Sequence, residues 1–310
     1  MPALVAGIHA LATRKTWMAG TSPAMTEIYD PRVTPARPDL AAEHLRGTVK
    51  AERYVAGQAR EVRDPSAPLR AAPAPDARLF TEALKGERFT VYDQDDEGWC
   101  WGQLASDGYV GWIAANALAK IGPAPTHRVS ALRTLVFTQM DIKEPALESL
   151  PMGAAVAVTR SEGRLAATPS GFIPLAHLMP LAEHEKDFVA VTERFLGTPY
   201  LWGGKTSLGI DCSGLVQIAL NACGVPCPRD SDMQEAQVGA TLRSASDLRR
   251  GDLIFWKGHV AIARDAKTMI HANAFHMAVA IEPFDEGIVR IRAGGGDVTS
   301  IKRLSNPPSS

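Results

Sequence analysis

At 310 residues the chain is long enough for two or three domains, and 45% hydrophobic with 22% charged residues is ordinary for a globular protein. A net charge of -1 gives no overall pull toward nucleic acid or an anionic membrane, and no stretch approaches the roughly 20 apolar residues of a spanning helix. Cys100, Cys212, Cys223 and Cys227 are too few for a disulfide framework, and Cys223 with Cys227 supplies only one loose pair of zinc ligands. Structural thiols and no metal or organic cofactor are therefore expected.

Residues 1–24 do not read as a secretory signal. The mildly apolar run 1–12 precedes the basic pair Arg14-Lys15 rather than following it, and Met25 is a plausible start. An irregular segment and a cytoplasmic protein are the expectation. Residues 1–55 form an arm with Pro31, Pro35 and Pro38, a short helical run over 40–46, and an entry into sheet over 49–55. Residues 56–122 alternate over 88–92, 98–104 and 108–113 with Gly, Asp and Pro between, which predicts a small β-barrel. Residues 123–182 read as a second, more diverged copy, with strands at 135–137, 155–158 and 171–175.

The segment 183–304 has a different character, and 305–310 is a proline-containing tail. An amphipathic helix over 183–196 carries Phe188, Val191, Phe195 and Leu196 on one face and stops at Gly197 and Pro199. A glycine-rich stretch then leads from Tyr200 into a helix with Leu215, Val216, Ala219, Leu220 and Cys223 at helical spacing, ended by Gly224 and Pro226. Asp211 is a good cap, so Cys212 falls in the first turn, where backbone N–H groups and the helix dipole favour a thiolate. Ser231 with Gln234 has the pattern of a capping box for the next helix. Short strands are predicted at 252–256, 260–264, 268–271, 279–281 and 289–292, with His259 opening one and His271 closing another. A cysteine at a helix start, then a strand histidine as base, then an orienting residue on the next strand resembles the order of a papain-like cysteine peptidase, whose chemistry needs these residue types.

The segment resembles the NlpC-type family of bacterial cell-wall peptidases, which are papain-like. The matching pieces are residues 200–204, 209–214, 229–231, 250–255, 258–260 and 270–271, within about 184–304. The Gly-Trp of 98–99 and the Asp-Gly-Tyr-Val-Gly-Trp of 107–112 are similar to bacterial SH3-type domains, which often precede such catalytic domains. The implied fold class is α+β: two SH3-like barrels, then a catalytic domain with a helix packed on an antiparallel sheet. The resemblance assigns Cys212 as nucleophile, His259 as base and His271 as third polar residue, with Asn273 the alternative for that place. The Cys212 N–H and Tyr200 are the expected oxyanion donors. Tyr200 and Trp202 equally suit aromatic packing, and Asp211 is more naturally a cap than an acid. Ser213, Asp230 and Ser231 are implied to line the pocket for a D-glutamate carboxylate and a substrate amine. From the first barrel, Tyr109 and Glu82 are implied to close one end of the pocket on a free N-terminal ammonium. The implied activity is hydrolysis of the γ-D-glutamyl to diamino-acid bond in muropeptides with a free L-alanine, during recycling of wall peptides. An exported hydrolase of the same chemistry and a non-catalytic peptide-binding module are the alternatives.

Overall fold

The computed structural model describes residues 29–242 and 248–304. The irregular leader expected over 1–24 and the tail 305–310 lie outside these described residues. The described arm carries two short strands, Leu40–Ala42 and Arg53–Val55, paired in parallel. The helical run expected at 40–46 is instead a strand followed by a single 3-10 turn, Glu43–Leu45. Leu40 is fully buried and packs with Trp101 and Val110 of the sheet that follows, and this tertiary contact overrides a weak helical preference.

That sheet has seven strands between Gln58–Val62 and Leu118–Ala119, and its neighbours run antiparallel. Alternation places Val62, Leu69, Phe89, Leu104 and Ile113 in one core. Gly102 is required where the strands cross closely, because a Cβ there would meet the Thr90 carbonyl oxygen at 2.1 Å. A second β region spans His127–Val129 to Leu178–Pro180 as a three-stranded and a five-stranded sheet around Val129, Val136, Leu150 and Ile173. Lys85 joins the two regions by a 2.6 Å ion pair with Glu148.

The remainder is a six-stranded antiparallel sheet sandwiched by helices. Its order is Ala240–Thr241, Val298–Arg303, Leu253–Trp256, His259–Ala263, Thr268–Asn273, Ala278–Pro283. Helix α1 (Phe188–Glu193) is shorter than the run expected over 183–196, because Asp187 caps it by accepting from the Val189 and Ala190 N–H groups. Helix α2 (Cys212–Ala222) lays Leu215, Val216, Ala219 and Leu220 onto Val260, Ile262, Ile270 and Ala272. Helix α3 (Ser231–Gln237) follows. Helix α4 (Phe284–Ala293) covers the opposite face, where Ala261, Ala263 and Met269 point.

One further assignment is corrected here. The strand expected at 289–292 is the second half of α4. Phe284, Ile288 and Ile291 recur at helical spacing, and Asp285 and Glu286 in the first turn with Arg290 and Arg292 in the last complement the helix dipole. The slot that strand would have filled is taken by Val298–Arg303, which pairs with Leu253–Trp256. Among the described residues, no helix is long and apolar enough to cross a membrane.

Leu220, at the centre of the α2 contact, is fully buried. Leu220→Ala should lower stability by about 2–5 kcal/mol in denaturant unfolding. A loss below about 1 kcal/mol would show that α2 does not carry this core.

Candidate active site

The start of α2 is held from several directions. Asp211 caps it, accepting from the Gly214 N–H at 2.7 Å and from the Gly203 N–H at 2.8 Å. Arg229, also buried, grips both carboxylate oxygens of Asp211 at 2.9 and 2.8 Å. It also donates to Ser213 Oγ, to the Gly204 carbonyl and to Thr81 Oγ1 of the seven-stranded sheet. Gly214 cannot be replaced cheaply, since a Cβ there would lie 2.4 Å from the Gly204 oxygen and 2.9 Å from Asp211 Oδ1.

Cys212 therefore sits where expected, but its thiol does not behave as expected. Burial, reinforced by the Asp211 charge, pushes it up to about 12. The Val260 and Ser213 N–H groups favour the thiolate without offsetting these effects. Burial also pushes His259 down to about 3, with the neighbouring His271 acting in the same direction. Both groups are therefore neutral at rest, a thiol and an imidazole, not the ready thiolate that a helix start alone suggested.

His259 Nε2 lies 2.8 Å from His271 Nδ1. His271 Nε2 lies 2.7 Å from Glu282 Oε1, and Arg290 of α4 holds the same carboxylate oxygen. Asn273, the alternative for the third place, instead accepts from the His276 N–H and faces its ring. The sulfur is set against the start of the histidine strand, because the Val260 N–H that meets it belongs to the residue after His259.

A cavity of about 290 Å³ opens over the sulfur. Tyr200, Trp202, Asp211, Ser213, Asp230 and Ser231 all line it with Cys212. Burial, with the Asp211 charge acting the same way, pushes the Tyr200 phenol upward, so it remains an O–H donor. Trp202 is half exposed at the mouth with the Arg78 guanidinium 4.9 Å from its ring centre. Tyr109 enters from the seven-stranded sheet and donates to Asp230 Oδ2 at 2.9 Å.

Two readings change here. Asp230, not Ser231, is the residue flanking α3, and its carboxylate makes no capping bond. Gln234 turns away from a capping box and donates to the Ser213 and Pro228 carbonyls. Glu82 is not on the cavity wall. Its carboxylate accepts from Ser66 Oγ and from the Lys205 N–H, both at 2.6 Å, so it fastens the sheet to the loop before Cys212. The charged wall is built by Arg32 of the arm instead. Arg32 reaches Asp230 at 2.9 Å and Asp232 at 2.8 Å, while also chelating Asp30. Nothing in the local sequence announced this contact, which spans 198 residues.

A helix-start cysteine, and a histidine opening a later strand that is itself held by a second polar residue, are the parts of a papain-like cysteine peptidase. Residues 197–293 match the NlpC/P60 family and residues 69–118 match the bacterial dipeptidyl-peptidase Sh3 domain, so the chain carries an NlpC/P60 cysteine peptidase domain behind a bacterial SH3 domain. The chain is 28% identical over 236 residues to a gamma-D-glutamyl-L-lysine dipeptidyl-peptidase of Bacillus subtilis, covering 69% of this chain and 78% of that one. It is 33% identical over 133 residues to dipeptidyl-peptidase 6 of Lysinibacillus sphaericus, covering 40% of this chain and 48%, about half, of that relative. An NlpC/P60 family protein of Bacillus cereus has the same fold, with a TM-score of 0.69 and 20% identity over 80% of this chain and all of that one.

Two outcomes follow. With the thiol near 12 and the imidazole near 3, alkylation of Cys212 by iodoacetamide in the ligand-free protein should keep rising between about pH 5 and 9. A plateau across neutral pH, followed by mass spectrometry of the Cys212 peptide, would instead reveal a resting ion pair. Removing Arg229 by substitution with Met should cost about 3–5 kcal/mol in unfolding, because the buried Asp211 charge is stranded.

Proposed function

We propose that this protein is a γ-D-glutamyl-diamino acid endopeptidase that releases a dipeptide from the free amino end of muropeptides. The relative in Bacillus subtilis carries that activity in its name, with L-lysine as the diamino acid. The observation that carries the reading is the hydrogen bond from Tyr109 of the SH3-type part to Asp230 beside the nucleophile. It makes one cavity from two parts of the chain. Around it, Asp230 and Asp232 line the cavity and share Arg32 with Asp30, while Arg78 lies on the same wall. A carboxylate at this end suits the ammonium of an N-terminal L-alanine, because a buried ammonium must be paired. Tyr109 keeps the role the resemblance implies for it, and Asp230 takes the place beside it that was expected for Glu82.

In this scheme His259 draws the proton from Cys212 as the sulfur attacks the γ-carbonyl of D-glutamate. The Cys212 N–H and the Tyr200 hydroxyl face the developing oxyanion. Collapse breaks the amide bond, and the diamino acid leaves with the proton held on His259. Water, deprotonated by His259, then cleaves the thioester and frees L-Ala-D-Glu, returning the proton to sulfur. The pair need not be ionised at rest, because proton transfer accompanies attack.

The second β region reads as a diverged SH3-type barrel, so that the units are 56–122, 123–182 and 183–304 behind the arm 1–55. A pocket built for free short peptides suits recycling of wall fragments in the cytoplasm.

The test compares L-Ala-γ-D-Glu-L-Lys, its N-acetyl derivative and intact sacculi as substrates. The free tripeptide should yield L-Ala-D-Glu, and Cys212→Ala should abolish this. N-acetylation should lower kcat/KM by about 10- to 150-fold, the worth of a hydrogen bond to a charged group. Tyr109→Phe should raise KM about 3- to 10-fold with kcat little changed. Equal cleavage of the acetylated peptide or of sacculi would overturn the free-amine reading in favour of a wall-remodelling hydrolase.

A further inference from the structure

We propose that Glu282 is a positioning residue of the catalytic relay, which runs from the carboxylate through His271 and His259 to the thiol, and that Arg290 tunes it. The proposal rests on the peptidase reading for its kinetic consequence, but not for its structural one.

Glu282 and His271 are diagonal neighbours across antiparallel strands, since Met269 pairs with Glu282 and His271 with Ala280. Both side chains lie on the α4 side of the sheet, the side of Met269. Both are buried, and their polar atoms are 2.7 Å apart.

The hydrogen bonds allow one order of protons. Glu282 is held down to about 2: the His271 and Arg290 hydrogen bonds outweigh a burial that opposes them. It is therefore a carboxylate and can only accept. The proton on the shared line belongs to His271 Nε2. Burial keeps His271 neutral, so its Nδ1 is a bare lone pair. That lone pair, 2.8 Å from His259 Nε2, accepts a proton from it. His259 is neutral too, so its Nδ1 is the nitrogen left bare for the thiol proton. Without an ionised acceptor at position 282, either tautomer of His271 is allowed. The one with Nδ1–H would turn His259 around and present the thiol with an N–H instead of a base.

Arg290 works against the carboxylate's influence on the imidazoles. It bonds Glu282 while stacking 4.4 Å over the ring of Phe275, at the tip of the hairpin after His271. Glu282 raises the basicity of both histidines and Arg290 lowers it. The groups facing the relay are thus Glu282 on its strand, Arg290 from α4 and His276 from the hairpin. His271, His276 and Glu282 also place donor atoms within 4.8 Å of one another. Two of them are already hydrogen-bonded to each other and the third ring faces Asn273 Oδ1 at 3.0 Å, so the cluster reads as a relay and not as a metal cage.

The test uses Glu282→Gln and Arg290→Met in the full-length protein. Nitrogen-15 NMR of the imidazoles without substrate should show a single tautomer with His259 bare at Nδ1, and a mixture in E282Q. With tripeptide, E282Q should lose about 10²-fold in kcat with KM nearly unchanged. The acid limb of its kcat/KM profile should move to lower pH, while that of R290M moves to higher pH. Opposite shifts are not produced by loss of stability, so R290M decides if E282Q folds poorly. Shifts in the same direction, unchanged tautomers, or a wild-type rate abolished by chelator would overturn the proposal. If Cys212→Ala still cleaves, the peptidase reading fails while the tautomer experiment still decides the role of Glu282.

Discussion

The buried pair between Arg229 and Asp211 is the interaction on which the site rests. Taking both ions out of water is costly, and their mutual attraction offsets this only when the remaining donors and acceptors are filled. Here they are. Asp211 holds the N–H groups of Gly203 and Gly214 as well as the guanidinium. Arg229 spends its remaining donors on Ser213, Gly204 and Thr81. One cation thereby ties the cap of α2, the loop before it and a strand of the SH3-type sheet to the same point. The nucleophile's position is a consequence of that network more than of the helix alone.

The same network explains the electrostatics of the sulfur. A capping carboxylate that orders the first turn also places a negative charge beside the thiol, and its effect there opposes that of the backbone N–H groups. The enzyme keeps the geometry and forgoes the thiolate in the free state. A neutral thiol must then lose its proton as it attacks a polarised carbonyl rather than beforehand.

The catalytic helix, its cap and the two histidine strands were legible because their signals are local: a cap residue, helical spacing and a short alternation. The errors are equally instructive. Residues 289–292 alternate over too short a window to separate strand from helix, and the decisive spacing begins earlier, at Phe284. Ser231 and Gln234 satisfy a capping pattern, yet Asp230 flanks the helix while serving Tyr109 and Arg32 instead. Glu82 has the right charge in the right part of the chain, but its side chain meets Ser66 and Lys205. Arg32, Glu282 and Arg290 carry no motif, because their partners are chosen by the folded chain.

These long-range contacts define what the β regions contribute. Tyr109 belongs to the core of its sheet through its ring and to the cavity through its hydroxyl, so packing fixes the direction in which the hydroxyl points. Gln217, in the middle of α2, likewise donates to Asp107, close by Tyr109 in the chain. Arg32 is anchored by its own backbone, whose carbonyl accepts from the Val110 N–H. Arm, SH3-type sheet and catalytic helices thus each supply one side of the carboxylate at Asp230. An SH3-type unit appended only to tether the enzyme to a surface would not need to place a buried phenol in the cavity of the catalytic part. Its place in this chain is better understood as a wall of the substrate pocket.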